Sequence, residues 1–377
     1  MATRTANVRK IVREKGNVYE VRYRAPDGRR RSRTFTKEAD ARAFVTDVHQ
    51  SVQAGDWIAP ERSRTAWGQV AADWLAAKAR RGLKPTTLHG YQRILDGWLA
   101  GWANRQIGNL THEDVEAVLA ALHAAGRETQ TVHNVFNVAQ SVFDYAHKRR
   151  LITANPCRLV REDLPSRAQR NYAPHFLTAA EVNTLAAALP TPYDLLVTFA
   201  AWSGLRWGEV AGLRVQSLDP LRASVRVEAT YDERFGTGTP KSARSRRTVP
   251  LPPTLARRLA DHVATQGFAP NAYLFGRNGS PLRRSHFYGR VFQPAARKAG
   301  LPGVRFHDLR HTFASLKAAQ GYGGREVSAW MGHGSVSFTL DTYTHLFPVD
   351  DDLRNRLDAD FLASTQATSN VADLHAV

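Results

Sequence analysis

Cysteine is almost missing from this 377-residue chain. Cys157 stands alone, which excludes an internal disulfide and any metal site built from several thiolates. Long apolar runs are missing as well. No stretch reaches the ~18 consecutive apolar residues of a membrane-spanning helix, and no leader peptide pattern opens the chain. A soluble, cytoplasmic protein is expected. Acidic residues are in deficit: 34 Asp and Glu face 52 Lys and Arg, a formal charge of +18. Such an excess favours a polyanionic partner, either nucleic acid or an anionic membrane surface. No Gly-x-x-x-x-Gly-Lys phosphate loop occurs, so no nucleotide cofactor is implied. What is present is enough ordinary apolar sequence for sizeable cores, in a length that suits two or three domains at ~100–200 residues each.

Residues 1–62 have the pattern of a small domain. Val18 to Arg24 alternates apolar and polar residues as a half-buried strand does. Ala25-Pro26-Asp27-Gly28 signals a turn, and Arg29 to Phe35 makes the return strand of a hairpin. With Val8–Arg13 as a first strand and helical spacing over 37–54, a three-stranded sheet plus one helix is predicted. Arg22, Arg24, Arg29, Arg30, Arg31 and Arg33 all fall on the hairpin, which suits phosphate contact or insertion into a DNA groove. After a linker containing Pro60, residues 65–153 read as four helices with aromatic and aliphatic stripes. Thr111 is expected to act as a simple N-cap for the third of them, with Asp114 a weaker fit to a capping box. A polar, basic strap follows from 155 to 171. Thr178-Ala179-Ala180-Glu181 is a capping-box pattern. Strands are predicted over 224–229 and 245–251, and helices from Pro253, over 285–299 and over 307–320. The residues after Leu362 are small and polar, a mobile tail.

Six polar residues in the C-terminal half belong together chemically. Arg206 lies in Ser203-Gly204-Leu205-Arg206-Trp207-Gly208-Glu209, Lys241 in Pro240-Lys241-Ser242, and His307 and Arg310 in His307-Asp308-Leu309-Arg310-His311-Thr312. His333 follows Met331-Gly332, and Tyr343 ends the series in Asp341-Thr342-Tyr343. Taken singly, each has an ordinary structural explanation. Together they supply the parts of phosphodiester exchange: a nucleophile, cations for the phosphate, and proton donors. A tyrosine hydroxyl can form a covalent phosphodiester that conserves the bond for rejoining. Guanidiniums fork onto two phosphate oxygens, so Arg206 and Arg310 suit a clamp where charge grows in the transition state. Glu209, three residues after Arg206, is placed to orient an arginine. His307 and His311, at i and i+4, have zinc-pair spacing, but the glutamate of such motifs is missing and nearby arginines oppose a cation. No metal is expected.

The order and contexts of these residues resemble the tyrosine recombinase (phage integrase) family, closely over Thr178–Phe347 and loosely elsewhere. The resemblance implies a multidomain, mainly α chain with small β-sheets. Its expected parts are an arm-type DNA-binding domain over 1–62, a helical core-binding domain over 63–160, a mixed α+β catalytic domain over 172–362 and a tail over 363–377. It implies a site-specific recombinase that cuts and rejoins double-stranded DNA through a 3′-phosphotyrosine, serving integration or excision of a phage or other mobile element. Tyr343 would be the nucleophile. Lys241, in a hairpin between two strands, would protonate the departing 5′ oxygen; Arg244, Arg246 and Arg247 are neighbouring cations. His307 would position or deprotonate Tyr343, and His333 would bond the phosphate. A homotetramer on DNA is implied, with residues 350–362 as a helix reaching a neighbour and with accessory DNA-bending or directionality factors as further partners. The alternatives are a type IB topoisomerase-like nicking and rejoining enzyme and a non-catalytic DNA-binding regulator.

Overall fold

The computed structural model describes residues 6–13, 16–166, 175–239, 245–276 and 280–343. Lys241, the segment 350–362 and the tail beyond it lie outside these residues. The chain divides into two compact units, 1–171 and 172–377. Among the described residues no helix is long and apolar enough to cross a membrane.

The first unit begins with an antiparallel sheet of β1 (Ala6–Arg13), β2 (Gly16–Arg24) and β3 (Arg30–Phe35), in that order. Helix α1 (Glu38–Gln53) packs on it. The pleat sorts the side chains: Val21 and Tyr23 are buried with Ala41 and Val48 of α1, so their neighbours Arg22 and Arg24 turn to the open face. A short α2 (Pro60–Ser63) leads into the helical part, α3 (Trp67–Arg80), α4 (Pro85–Asp96), α5 (His112–Ala124) and α6 (Thr129–Lys148). The apolar stripe of α6, from Val132 through Phe136, Val142 and Phe143 to Ala146, meets Trp67, Trp74, Leu99 and Trp102 in a second core. Asp114 completes a capping box that the sequence only half suggests. Its carboxylate accepts from the Thr111 backbone N–H at 3.0 Å, because an aspartate reaches as far as a glutamate would need to here.

The second unit opens with α7 (Ala179–Ala187), capped as its Thr178–Glu181 pattern predicts, and continues with α8 (Tyr193–Ser203) and α9 (Trp207–Gly212). A small sheet follows, in the order β4 (Leu218–Asp219), β5 (Ser224–Val227), β8 (Arg247–Pro250). Between β5 and β8 the chain forms a separate ribbon of β6 (Thr230–Asp232) and β7 (Gly236–Gly238). The strands predicted over 224–229 and 245–251 pair antiparallel as β5 and β8, and Lys241 lies on the stretch of chain that joins them; the β6–β7 ribbon within that stretch was not expected.

Helices α10 (Pro253–Gln266), α11 (Arg284–Phe287), α12 (Gln293–Lys298), α13 (Asp308–Ala319), α14 (Gly324–Met331) and α15 (Val336–Tyr343) complete the unit. The helix predicted over 285–299 runs without a break from α11 into α12, through a widened turn at Tyr288–Phe292. Pro294 lies two residues past that turn; it has no N–H to donate and its ring would crowd a regular turn, which a widened one relieves. Two cores fill the unit. A large one gathers α7, α8, α10 and the sheet, and a smaller one holds Phe313, Ala314, Val327, Met331 and Tyr343.

Candidate active site

Three arginines converge on the end of α14. The last turn of a helix leaves carbonyl oxygens unpaired and carries partial negative charge. Here each of three successive carbonyls receives one guanidinium. Trp330 O accepts from Arg247 Nε, Met331 O from Arg310 Nη2 at 2.7 Å, and Gly332 O from Arg206 Nη2 at 3.2 Å. Gly332 ends the helix in the left-handed region at φ +65°, and a Cβ there would lie 2.9 Å from Arg247 Nη1, so glycine fits both the conformation and the approach. His333 follows immediately.

Each arginine reaches this point from a different element. Arg206 sits just before α9, where α8 has stopped at Gly204 (φ +63°). Phe313 packs against Gly204 so closely that a Cβ would lie 2.5 Å from its ring. The Gly204 carbonyl accepts from Arg310 Nη1 at 2.6 Å. Arg310 projects from α13, with both terminal nitrogens held by carbonyls and almost no exposed surface. Burial, then the like charge of Arg206, pushes Arg310 down to about 9, which still leaves it charged at neutral pH. Arg247 comes from β8, on the inward side it shares with Val249.

Glu209 joins two of them. One carboxylate oxygen accepts from Arg206 Nη1 and Arg247 Nη1, each at 3.1 Å; the other accepts from the Arg206 backbone N–H at 2.9 Å and Arg247 Nη2 at 3.0 Å. Burial alone would raise its carboxyl, but Arg247 and then Arg206 hold it below the ordinary value. Among the described residues Glu209 is the one carboxylate ion-paired within this cluster, to Arg206 and Arg247, so the three arginines keep an excess of positive charge. That excess is suited to an anion. Arg206 is more exposed than Arg247, with 39% of its side chain open against 6%.

Tyr343, at the end of α15, lies in the smaller core with 2% of its surface exposed. Its hydroxyl and His311 Nδ1 are 2.7 Å apart. Its ring stacks near-parallel on His333 at 6.4 Å and meets Phe176 edge-on. Burial raises the hydroxyl to about 12, with Arg310 and Arg206 opposing. His333 Nδ1 is tied to Thr339 Oγ1 at 2.6 Å. Burial and then Arg310, Arg206 and Arg247 push His333 down to about 3, so it is neutral at pH 7.

Of the six residues singled out in the sequence, the structure brings Arg206, Arg310, His333 and Tyr343 together, with His307 at the start of α13. Lys241 lies outside the described residues. The contact with the tyrosine hydroxyl that the resemblance assigns to His307 is made by His311 instead; His307 meets the edge of the His311 ring at 5.0 Å. Arg247 is a second residue the sequence reading did not place. It appeared there only as a cation near Lys241. Among the described residues no group of three or more His, Cys, Asp or Glu is arranged to hold a metal ion.

The six hairpin arginines, all expected to suit phosphate contact or groove insertion, do not share one surface. Arg22, Arg24 and Arg30 alternate onto the open face of the sheet. Arg31 pairs across from buried Tyr23 and points to the α1 side. It bonds Asp27 at 2.7 Å and Glu61 at 2.6 Å, lies over Trp57, and is 10% exposed. Arg33 covers the rings of Phe35 and Phe44 on the same side. Arg29 belongs to the turn before β3.

The chain is similar to known proteins. The phage integrase family matches residues 175–349 and the phage integrase central domain matches residues 67–163. The prophage phiRv2 integrase of Mycobacterium tuberculosis (strain H37Rv) is 31% identical over 345 residues, covering 87% of this chain and 88% of that one. The integrase of Mycobacterium phage D29 is 25% identical over 344 residues, covering 86% and 88%. Among solved structures, the Tn1549 transposon integrase in complex with a circular intermediate DNA superposes with a TM-score of 0.63 at 19% identity, over 78% of this chain and 99% of that one. A lambda integrase tetramer bound to a Holliday junction superposes with a TM-score of 0.56 at 16% identity, over 87% and 96%. These two likenesses concern the fold.

Proposed function

The chain belongs to the phage integrase family, and from that premise we propose how its residues divide the work of a tyrosine site-specific recombinase. The single observation that carries the assignment is the tyrosine packed beside a cluster of arginines with one carboxylate between them. Arg206 and Arg310 clamp the nonbridging oxygens of one DNA phosphate. Their fixed N–H groups stabilise the charge that grows as phosphorus gains a fifth ligand. Tyr343 Oη attacks, a 3′-phosphotyrosyl bond forms, and the bond from phosphorus to the 5′ oxygen breaks. Lys241 gives the departing 5′ oxygen its proton. His333, neutral and steadied by Thr339, donates to the phosphate. Reversal with a different 5′ hydroxyl rejoins the strand, so no external energy is needed.

The fuller reading rests on the same family membership. Residues 1–62 contact flanking arm DNA, 63–160 hold the core site, and 172–362 do the chemistry. The working assembly is a homotetramer on two DNA duplexes in the cytoplasm, with accessory DNA-bending or directionality factors, and the outcome is integration or excision of a phage or mobile element. Relatives named as prophage, phage and transposon integrases support that outcome. The test is covalent trapping on genomic DNA followed by sequencing of the attached ends and mass spectrometry of the peptide. A nucleotide on Tyr343, and none in Tyr343→Phe, is expected. An adduct on any other residue overturns the assignment.

A further inference from the structure

Resting on the reading of Tyr343 as nucleophile, we propose that His311 is the catalytic base that takes the phenolic proton as the tyrosine attacks. The recombinase reaction needs an acceptor for that proton, and the geometry around the hydroxyl leaves one. Among the described residues His311 Nδ1, at 2.7 Å, is the hydrogen-bond partner of Tyr343 Oη. Arg310 is a cation and cannot accept. His333 lies near-parallel to the tyrosine ring with centroids 6.4 Å apart, and its Nδ1 is bonded to Thr339. His307 touches His311 and not the hydroxyl.

The local packing keeps the His311 imidazole neutral. Phe176 meets the His311 ring edge-on from one side and His307 from another. The charged and titratable neighbours are His307, Asp308 and Arg310 on α13, Arg305 just before it, Tyr343 on α15 and His333 after α14. Burial, followed by His307, Arg305 and Arg310 and opposed by Asp308, pushes His311 down to about 4. The imidazole is neutral at pH 7. As part of this proposal the proton sits on Nε2, which leaves Nδ1 a lone pair facing the phenol, so that Tyr343 donates and His311 accepts.

A base this weak gains strength when substrate arrives. The cations that depress His311 include Arg310, which a bound phosphodiester would partly neutralise. The phenol meanwhile becomes more acidic as its oxygen bonds phosphorus. The balance is complete: the Oη–P bond forms, the P–O5′ bond breaks, the phenolic proton moves to His311 Nδ1, and the 5′ oxygen is protonated by the separate acid assigned to Lys241.

Two substitutions separate a base from a positioning residue. His311→Asn sets an amide oxygen near the place of Nδ1, so it keeps an acceptor for the hydroxyl but cannot take its proton; His311→Ala removes both. Single-turnover cleavage of a nicked suicide duplex that carries the trapped site is expected to fall ~10²-fold or more in both variants, with DNA binding retained. The acid limb of the wild-type pH–rate profile should vanish in His311→Asn. Wild-type chain with fluorinated tyrosine at position 343 provides a check that needs no His311 variant to fold. The midpoint of its acid limb should stay where it is if His311 titrates, and should move with phenol acidity if the tyrosine ionises on its own. Wild-type cleavage by His311→Asn, or a midpoint that follows the phenol, overturns the proposal. Wild-type chain that forms its adduct away from Tyr343 would instead overturn the function on which the proposal rests.

Discussion

Arg247 and Glu209 form a two-pronged ion pair that is sealed from solvent, with Nη1 and Nη2 at 3.1 and 3.0 Å from the two carboxylate oxygens. The same guanidinium also bonds Trp330 O and Ser245 O. It therefore links β8, the start of α9 and the end of α14, three elements that carry or flank Arg206 and His333. Removing one partner of a buried pair costs about 3–5 kcal/mol when the other charge is left unpaired. Glu209 keeps Arg206 when Arg247 is removed, so Arg247→Ala is expected to lose less than that in urea unfolding, and to slow cleavage because Glu209 loses one of the two arginines that fix it behind Arg206. Arg247→Lys should recover only part of either, since an ammonium cannot fork onto both oxygens. Wild-type stability in Arg247→Ala would show that the pair is dispensable.

Arg206 and Arg310 should behave differently from each other. Both are assigned to the phosphate, so each alanine variant is expected to lose about 2.7–4 kcal/mol of transition-state stabilisation, read as the single-turnover cleavage rate. Arg206 is partly exposed, and its loss should leave the melting temperature nearly unchanged. Arg310 is enclosed, and its loss strands the carbonyls of Gly204 and Met331. Arg310→Ala should therefore lower the melting temperature as well as the rate. Equal thermal stability in the two variants would contradict this difference in burial.

The buried histidines make stability depend on acid pH. His333 and His311 are pushed from an ordinary 6.5 to about 3 and about 4, and His307 is lowered too, by burial and then Arg310 and Arg305. Between those values and 6.5 the unfolded chain holds protons that the folded chain does not. The stabilisation is thus complete above pH 6.5 and is lost as pH falls toward 4 and then 3. Urea unfolding from pH 7.5 down to 4 should show stability falling with proton uptake. His311→Asn should flatten the part of that slope nearest pH 4 to 6.5. A stability flat across this range would mean that these imidazoles stay hydrated.

How much of this was legible in the sequence differs from one residue to the next. Tyr343, Arg206, Arg310 and His333 announce themselves because each sits in a short motif where glycine or a helix boundary fixes the backbone. Gly204 and Gly332 are such points, and the structure shows why each has no side chain. Arg247 was visible in principle. Alternation along Ser245 to Val249 puts it on the face of Val249, and an arginine on an inward strand face needs a carboxylate. The sequence could not say that Glu209 would be that carboxylate, because the pair spans 38 residues and two elements. His311 was harder. Next to Arg310 on a helix it points about 100° away, and nothing local reveals that Tyr343, 32 residues on, returns to that direction. The hairpin arginines went astray for a simpler reason. The period of two was applied to the core residues and not to the charges between them.

That alternation yields the last prediction. Residues 1–62 are assigned to flanking DNA through the open face of the sheet, where Arg22, Arg24 and Arg30 stand exposed. Arg31, by contrast, is held between Asp27 and Glu61 against Trp57. Each phosphate neutralised releases condensed counterions, so log K falls with log salt by ~0.9 per contact on duplex DNA. In full-length protein, the combined change of Arg22, Arg24 and Arg30 to Ala should weaken binding to long duplexes and reduce the salt slope by up to about three such contacts. Its melting temperature should hardly change, because no apolar surface is uncovered. Arg31→Ala should do the reverse, leaving the salt slope alone and loosening the packing of the sheet against α1 and Trp57. Gel-shift titrations across a salt series, paired with thermal unfolding, read both quantities on the same variants. If the Arg31 variant loses as much salt slope as the triple variant, the open face is not the DNA surface. If the triple variant keeps the full slope, the phosphates are held elsewhere on the chain and the basic face is only solvated charge.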